Sequence, residues 1–238
     1  MRVAFGSLAR APGATTALLA AAGVWPTADV TVVEADADGG VLAARFGLSL
    51  HPEAPTLMSL LAATRHDTTA GVVPLHAQRL PGGLAAVCGP SIPEVATPAA
   101  AQLADRFEGL TASGTGDVLV DVGRVRPSSA AWRLASSCEA LVLVVRPVVE
   151  ELEPLLGRLE SLSAGTRLVV AVRGAGPYGT ADVAEAVVGR ADVCSLPEDG
   201  RGMLVMYGHR AGRLDRTAIV RSARRLVEAV ALPGQRVA

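Results

Sequence analysis

The 238-residue chain contains no lysine and no asparagine, and all 22 of its basic residues are arginine. The missing lysine excludes Schiff-base chemistry, a lysine general base and the ammonium of a conventional phosphate loop. Cysteine is scarce: Cys88, Cys138 and Cys194 lie far apart with no C-x-x-C spacing. That excludes a thiolate zinc site or a disulfide framework, and suits small buried apolar residues in a reducing compartment. His51, His66, His76 and His209 lack metal-ligand spacing, and no G-x-S-x-G elbow is present. A net charge of -1 leaves no global attraction to nucleic acid or anionic membrane. No window approaches about 18 uninterrupted apolar residues, and Met1 to Phe5 run into Gly6 without a leader-like apolar stretch. A cytoplasmic protein is expected.

What is present is a chain that is 50% hydrophobic and 19% charged, a balance that excludes a disordered polyelectrolyte. β-Branched runs at 3–6, 30–34, 84–88, 118–121, 141–145, 168–172 and 193–196 alternate with Ala/Leu-rich stretches at 15–22, 40–46, 98–108, 128–136, 149–162, 181–188 and 216–231. A shorter helix fits 56–64. The alternation predicts one α/β domain over 1–238, a three-layer sandwich with a mostly parallel sheet and helices on both faces. The segment 51–81, rich in Pro, His and Thr, has the weakest periodicity and reads as a variable excursion, either a lid or a surface loop. In the last helical stretch Ile219, Val220, Ala223, Leu226, Val227 and Val230 form an apolar stripe, with Arg216, Arg221, Arg224 and Arg225 off it. No separate amphipathic tail follows Leu232. There is no strong nucleic-acid or membrane signal; the arginine face reads either as a solvated charged face or as a contact for DNA or lipid.

Chemistry concentrates at the carboxyl ends of the expected strands, where open α/β sheets bind ligands. The first strand leads through Gly6-Ser7-Leu8-Ala9-Arg10-Ala11-Pro12-Gly13-Ala14-Thr15-Thr16 into a helix, the context in which loop amides and a helix N-terminus hold phosphate. The pattern G-x-x-x-x-G-K-[ST] is half met: Gly13 and Thr15 match, Ala14 stands at the lysine, and Leu8 stands at the first glycine. An ordinary βα turn capped by Thr15 or Thr16 explains the same stretch. The second strand ends in Glu34-Ala35-Asp36, and the apolar run 118–120 ends in Asp121, the form of a strand whose carboxylate reaches a metal. Leu196-Pro197-Glu198-Asp199 closes a late strand, and Gly212 marks a turn before the last helix.

In this order the segments resemble the ParA/MinD family of deviant-Walker P-loop ATPases over nearly the whole chain. The family carries K-G-G-x-G-K-[ST]-[ST] after the first strand, D-x-D-P-x-G after the second, D-x-P at Walker B and I-P-x-D late in the chain. Gly13, Thr15 and Thr16 match the loop, Asp36 the second acidic position, Asp121 Walker B, and Pro197 and Asp199 the late motif. Glu34 replaces the first aspartate, Gly123 replaces the Walker B proline, and both family lysines fall on alanine, at Ala9 and Ala14. Arg173 ends the later strand where an asparagine is common.

The resemblance implies a site in which Gly13, Ala14, Thr15, Thr16, Arg10, Pro197 and Asp199 contact ATP or ADP, and Thr15, Asp36 and Asp121 hold Mg²⁺. Asp36 and Asp121 are its catalytic residues if the site is active. It further implies a homodimer that positions or assembles protein machinery, such as a pilus of the Flp/Tad type or a secretion machine. Losing a preorganised cation from a developing phosphoryl charge costs about 10²–10³ in rate. The expectation is therefore a degenerate site with weak nucleotide binding and little or no hydrolysis. The alternatives are an active Mg-ATPase that uses Arg10 in a lysine-free loop, and a nucleotide-free dimeric scaffold. Arg10 itself reads either as a phosphate-binding guanidinium or as a solvated loop residue.

Overall fold

A computed structural model describes residues 1–9, 12–51, 53–66, 70–112, 116–207 and 214–231. In chain order the elements are β1 (Arg2–Ser7), α1 (Ala14–Ala22), β2 (Val30–Glu34), α2 (Leu42–Phe46), α3 (Leu57–Ala63), β3 (Gln78–Arg79), β4 (Ala85–Val87), α4 (Pro93–Leu110), β5 (Asp117–Arg124) and α5 (Ala130–Ser136). They continue with β6 (Ala140–Val145), α6 (Val149–Leu156), α7 (Leu159–Ser163), β7 (Arg167–Arg173), α8 (Thr180–Ala186), β8 (Asp192–Leu196), α9 (Gly200–Met206) and α10 (Ala218–Ala231). Short 3-10 turns cover Val73–His76 and Leu214–Arg216.

The strands form one sheet in the order β3-β4-β2-β5-β1-β6-β7-β8. Every pairing is parallel except the β3–β4 hairpin at the edge. Period-two alternation sends Val3 and Phe5 of β1 to one face and Ala4 to the other. The first face is covered by α1, α2 and α10, and the second by α3 to α8. The expected stripe of α10 is wholly buried, while Arg221, Arg224 and Arg225 are exposed. Among the described residues, no helix is long and apolar enough to cross a membrane.

All seven expected strands are present, and β3 is an addition too short to carry a periodicity. The helical differences have local causes. α4 begins at Pro93, not at residue 98, because Pro93 takes the first-turn position that tolerates a missing N–H, while Pro98 is accommodated inside the helix. The single helix expected over 149–162 is broken at Gly157 into α6 and α7. α9 was not expected; its glycines hide the pattern, and its start is fixed by the Asp199 side chain accepting from the Gly202 amide. Within 51–81, Leu57, Leu60, Leu61 and Val73 belong to the core, so part of this excursion is structural. His209 and Gly212 lie outside the described residues.

Candidate functional site

The carboxyl ends of β1, β2 and β5 lie side by side at the centre of the sheet. Phe5 pairs with Asp121 but Gly6 pairs with Gly123, so Val122 is an extra residue in β5. Bulges of this kind re-aim side chains beside active sites. Here the turn is closed by the Asp121 carboxylate, which accepts the Gly123 amide at 3.2 Å. Gly123 has φ +62, and its bare Cα lies against the Asp36 carboxyl. The proline at this position in the family would require negative φ, so glycine and the close approach of Asp36 go together.

Asp121 is 1% exposed. Burial drives its carboxyl from an ordinary 3.8 up to about 7; the Thr15 hydroxyl and the Gly123 amide pull it down, while Asp36 and Glu34 push it up. Asp36 is also raised, chiefly by burial; its Oδ1 accepts the Asp38 amide at 2.9 Å, and Arg124 moderates the rise. Arg124 itself pairs with Asp38 at 3.5 Å. Glu34 has a different occupation. Its Oε1 accepts the amides of Val41 at 2.6 Å and Leu42 at 2.9 Å, and its Oε2 accepts that of Gly89 at 3.0 Å. Glu34 thus ties the start of α2 to the end of β4. Gly40 and Gly89 are glycine because a Cβ at either would collide with this residue.

The loop after β1 enters α1 through Gly13, which has φ +105 and supplies no side-chain cap. Neither threonine is the cap: Thr15 and Thr16 are the second and third residues of the helix. Thr15 bonds to Asp121. Thr16, 8% exposed, shares a 2.7 Å hydrogen bond with the Tyr207 hydroxyl. That tyrosine is held by Arg45, whose Nη1 donates to its hydroxyl at 3.1 Å and whose guanidinium lies 4.7 Å from the ring centroid, and by the edge of Phe46. Arg173, at the end of β7, donates through Nη1 to the Pro12 carbonyl at 2.6 Å. Its guanidinium fills the space a Cβ on Gly13 would take, at 2.7 Å. Its ion partner Glu198 is 4.0 Å away and largely exposed.

The structure therefore brings Thr15, Asp36 and Asp121 together and places Gly13, Ala14 and Thr16 beside them. Asp199 is committed elsewhere: Oδ1 accepts the Gly202 amide at 2.8 Å, and Oδ2 accepts those of Ala218 at 2.8 Å and Ile219 at 3.1 Å, so one carboxylate caps both α9 and α10. Pro197 lies between that cap and β8. Arg10 lies outside the described residues. Arg173, Tyr207 and Arg45 were not among the expected contacts, because they reach α1 from distant elements. Of the three, Arg173 carried a signal, since it ends a buried strand on the same edge as Asp121.

The arrangement fits a metal-bound polyphosphate in two respects. A buried carboxylate raised by two acidic neighbours is short of positive charge, which a cation beside Asp121 and Thr15 would supply. The N-terminus of α1, which carries no side-chain cap, and the Arg173 guanidinium offer donors for anionic oxygens. Among the described residues, no group of three or more His, Cys, Asp or Glu side chains forms a metal cage. Ligand oxygens would have to complete such a shell. Cys88 and Cys138 take no part: burial pushes both thiols up to about 12.

No family model matches the sequence, and no curated protein matches it by sequence. Solved structures do match the fold. The cell division ATPase MinD of Pyrococcus furiosus superposes with a TM-score of 0.73 at 18% identity, over 96% of this chain and 97% of that one. The septum site-determining protein MinD of Pyrococcus horikoshii, complexed with Mg-ADP, gives 0.70 at 17% identity over 94% and 95%. A ParA family ATPase of Chlorobium tepidum gives 0.70 at 14% over 95% and 98%. The eight-stranded, mostly parallel sheet covered by helices on both faces is the fold of the ParA/MinD P-loop ATPases.

Proposed function

We propose that the chain is a ParA/MinD-like positioning or assembly factor whose nucleotide site binds weakly and hydrolyses little or nothing. The observation that carries this reading is Arg173. The loop has no lysine, and among the described residues a cation reaches it from β7, anchored to the Pro12 carbonyl. A guanidinium fixed there can attract a phosphate at the loop rim. It lacks the slender reach of a lysine threaded through the loop, and that difference separates binding from stabilisation of a transferring phosphoryl group.

Thr15 and Asp121 are the residues that would hold Mg²⁺, with Asp36 behind them, and the first turn of α1 together with Arg173 would hold the phosphates. Bound Mg-nucleotide would bring negative charge to the α1 dipole and to Arg173, whose ion partner Glu198 is 4.0 Å away, and positive charge to Asp121. Ala14 leaves no side chain to contact the terminal phosphate. A homodimer acting on protein partners of a pilus, secretion or other positioning machine follows from the family resemblance.

A nucleotide-free scaffold is the second reading, favoured by the Tyr207 hydroxyl that already satisfies Thr16. Titration of a fluorescent ATP analogue with and without Mg²⁺, followed by a phosphate-release assay, decides between them. Saturable binding without turnover is expected. Absence of binding at millimolar nucleotide would establish the scaffold, and turnover abolished by Asp121→Asn would establish an active ATPase.

A further inference from the structure

On the sheet face opposite α1, a cavity of about 600 Å³ opens between α6 and α8, away from the phosphate loop. Its wall is apolar: Leu152, Leu155, Leu156, Tyr178, Val183 and Val187 line it. Leu155 and Val187 are buried, but Leu156 is 44% exposed and Tyr178 42%, with Val149 at 54% on the rim. Val188, just past α8, is 78% exposed. Exposed large apolar side chains clustered around a concavity mark an interaction site, whereas single ones scattered over a surface do not.

The charges on the two helices have one sign. α6 and α8 together carry Glu150, Glu151, Glu153, Asp182 and Glu185 and no arginine. Glu151 is buried and accepts the Arg146 amide at 2.8 Å, which makes it structural. Glu150, Glu153, Asp182 and Glu185 are exposed, and among the described residues none of them is in an ion pair. Asp182 also accepts the Gly179 amide at 2.6 Å, which leaves its charge in place. The nearest bases, Arg158 past α6 and Arg190 past α8, keep their charge at the C-terminal ends of the two helices, where Arg158 donates to the Pro154 carbonyl at 3.2 Å.

We propose that this groove docks an amphipathic helix of a partner protein, one with an apolar stripe flanked by arginine or lysine. Two helices with a trough between them accept a third by the same side-chain interdigitation that packs helices in a core. The acidic rim selects basic flanks and rejects acidic ones. A second copy of the chain offers no such helix among the described residues, because its two longest arginine-bearing helices, α4 and α10, already bury their apolar stripes on the sheet. The inference uses none of the residues of the nucleotide site, which lies at the carboxyl ends of β1, β2 and β5.

The probe is a labelled synthetic helical peptide of about fourteen residues, with leucine at i, i+4, i+7 and i+11 and arginine beside them; its control has glutamate in place of arginine. Fluorescence anisotropy with the full chain should show saturable binding of the arginine peptide and at least tenfold weaker binding of the glutamate peptide. Amide chemical-shift changes in the unmodified protein should be confined to α6, α8 and the segment joining α8 to β8. Leu156→Asp and Tyr178→Ala, both at half-exposed positions, should each weaken binding about tenfold. Glu150→Gln with Glu153→Gln should flatten its salt dependence, and Arg224→Glu on α10 should change nothing. No saturable binding, equal binding of both peptides, or shifts mapping elsewhere overturns the proposal. So does sedimentation showing a dimer of the chain that Leu156→Asp dissociates, since the occupant would then be a second copy.

Discussion

The hydroxyls of Thr16 and Tyr207 are 2.7 Å apart and join the first turn of α1 to the end of α9 across 191 residues of sequence. Removing the Tyr207 hydroxyl also takes away the bond from Arg45 Nη1, but the ring stays packed against the Arg45 guanidinium and Phe46, which hold the side chain in place. Tyr207→Phe should therefore free the Thr16 hydroxyl for a phosphate oxygen. A neutral hydrogen bond is worth about 1 kcal/mol net, which corresponds to roughly fivefold in affinity. Titration of the variant with a fluorescent ATP analogue should show that gain. Unchanged affinity would mean that Thr16 does not face the ligand.

Arg173 separates two roles that a single alanine variant would confuse. If it is only a strut for the loop, Arg173→Gln keeps a donor for the Pro12 carbonyl and should bind nucleotide as the parent does. If it is the cation of the site, the same variant should lose about tenfold or more, since charge-assisted hydrogen bonds are worth about 1.5–3 kcal/mol. Loss of affinity in Arg173→Gln is expected. Arg173→Lys should fall between the two, because it keeps the charge but not the planar fork. Competition by pyrophosphate, which has no base or sugar, shows whether the contact is to phosphate.

The sheet and its central strands were legible because a strand buried on both faces is a continuous apolar run, as in 141–145, and a sequence of such runs separated by helices admits few topologies. Thr15, Asp36 and Asp121 could be found for the same reason, since each lies where an expected element begins or ends. What could not be read is how finished side chains share their partners. Glu34 stands in sequence where the family has its first aspartate after the second strand, yet three amides take both its oxygens. Asp199 looks like a base-binding residue, yet it caps two helices, and one of them, α9, shows no helical pattern to be capped. Among the described residues a cation reaches the loop from β7, because the strand order β1-β6-β7 sets Arg173 on the same edge.

The double cap makes Asp199 a stability residue. Replacing an N-cap aspartate by alanine costs about 1 kcal/mol per helix, so Asp199→Ala should lose about 2 kcal/mol in urea unfolding. Burial raises its carboxyl, but the amides of Gly202, Ile219 and Ala218 outweigh burial and hold it below the ordinary 3.8. Its contribution is therefore complete above 3.8 and is lost as pH falls through the lower folded value. The gap between parent and Asp199→Ala should narrow in acid. A gap that widened there would show that the side chain does not work as a charged cap.

Asp121 should behave in the opposite sense. Its folded value of about 7 lies above the ordinary 3.8, so the folded chain holds this proton more tightly than the unfolded chain does. The penalty for ionising it is absent below pH 3.8, grows as pH rises to about 7, and is complete above that. Asp121→Asn keeps an acceptor for Thr15 and the Gly123 amide and carries no charge at any pH. The melting temperature of the variant minus that of the parent should therefore rise across this interval. Taking the difference removes carboxylates that do not act on Asp121, such as Asp117 and Glu139, whose lowered values give the reverse trend in both proteins. Mg²⁺ added at about pH 8 should then stabilise the parent but not Asp121→Asn, because a cation beside Thr15 relieves a charge only the parent has. Equal stabilisation of both proteins would place the cation elsewhere, and a flat difference from pH 3.8 to about 7 would show that Asp121 ionises without the burdens of burial and its acidic neighbours.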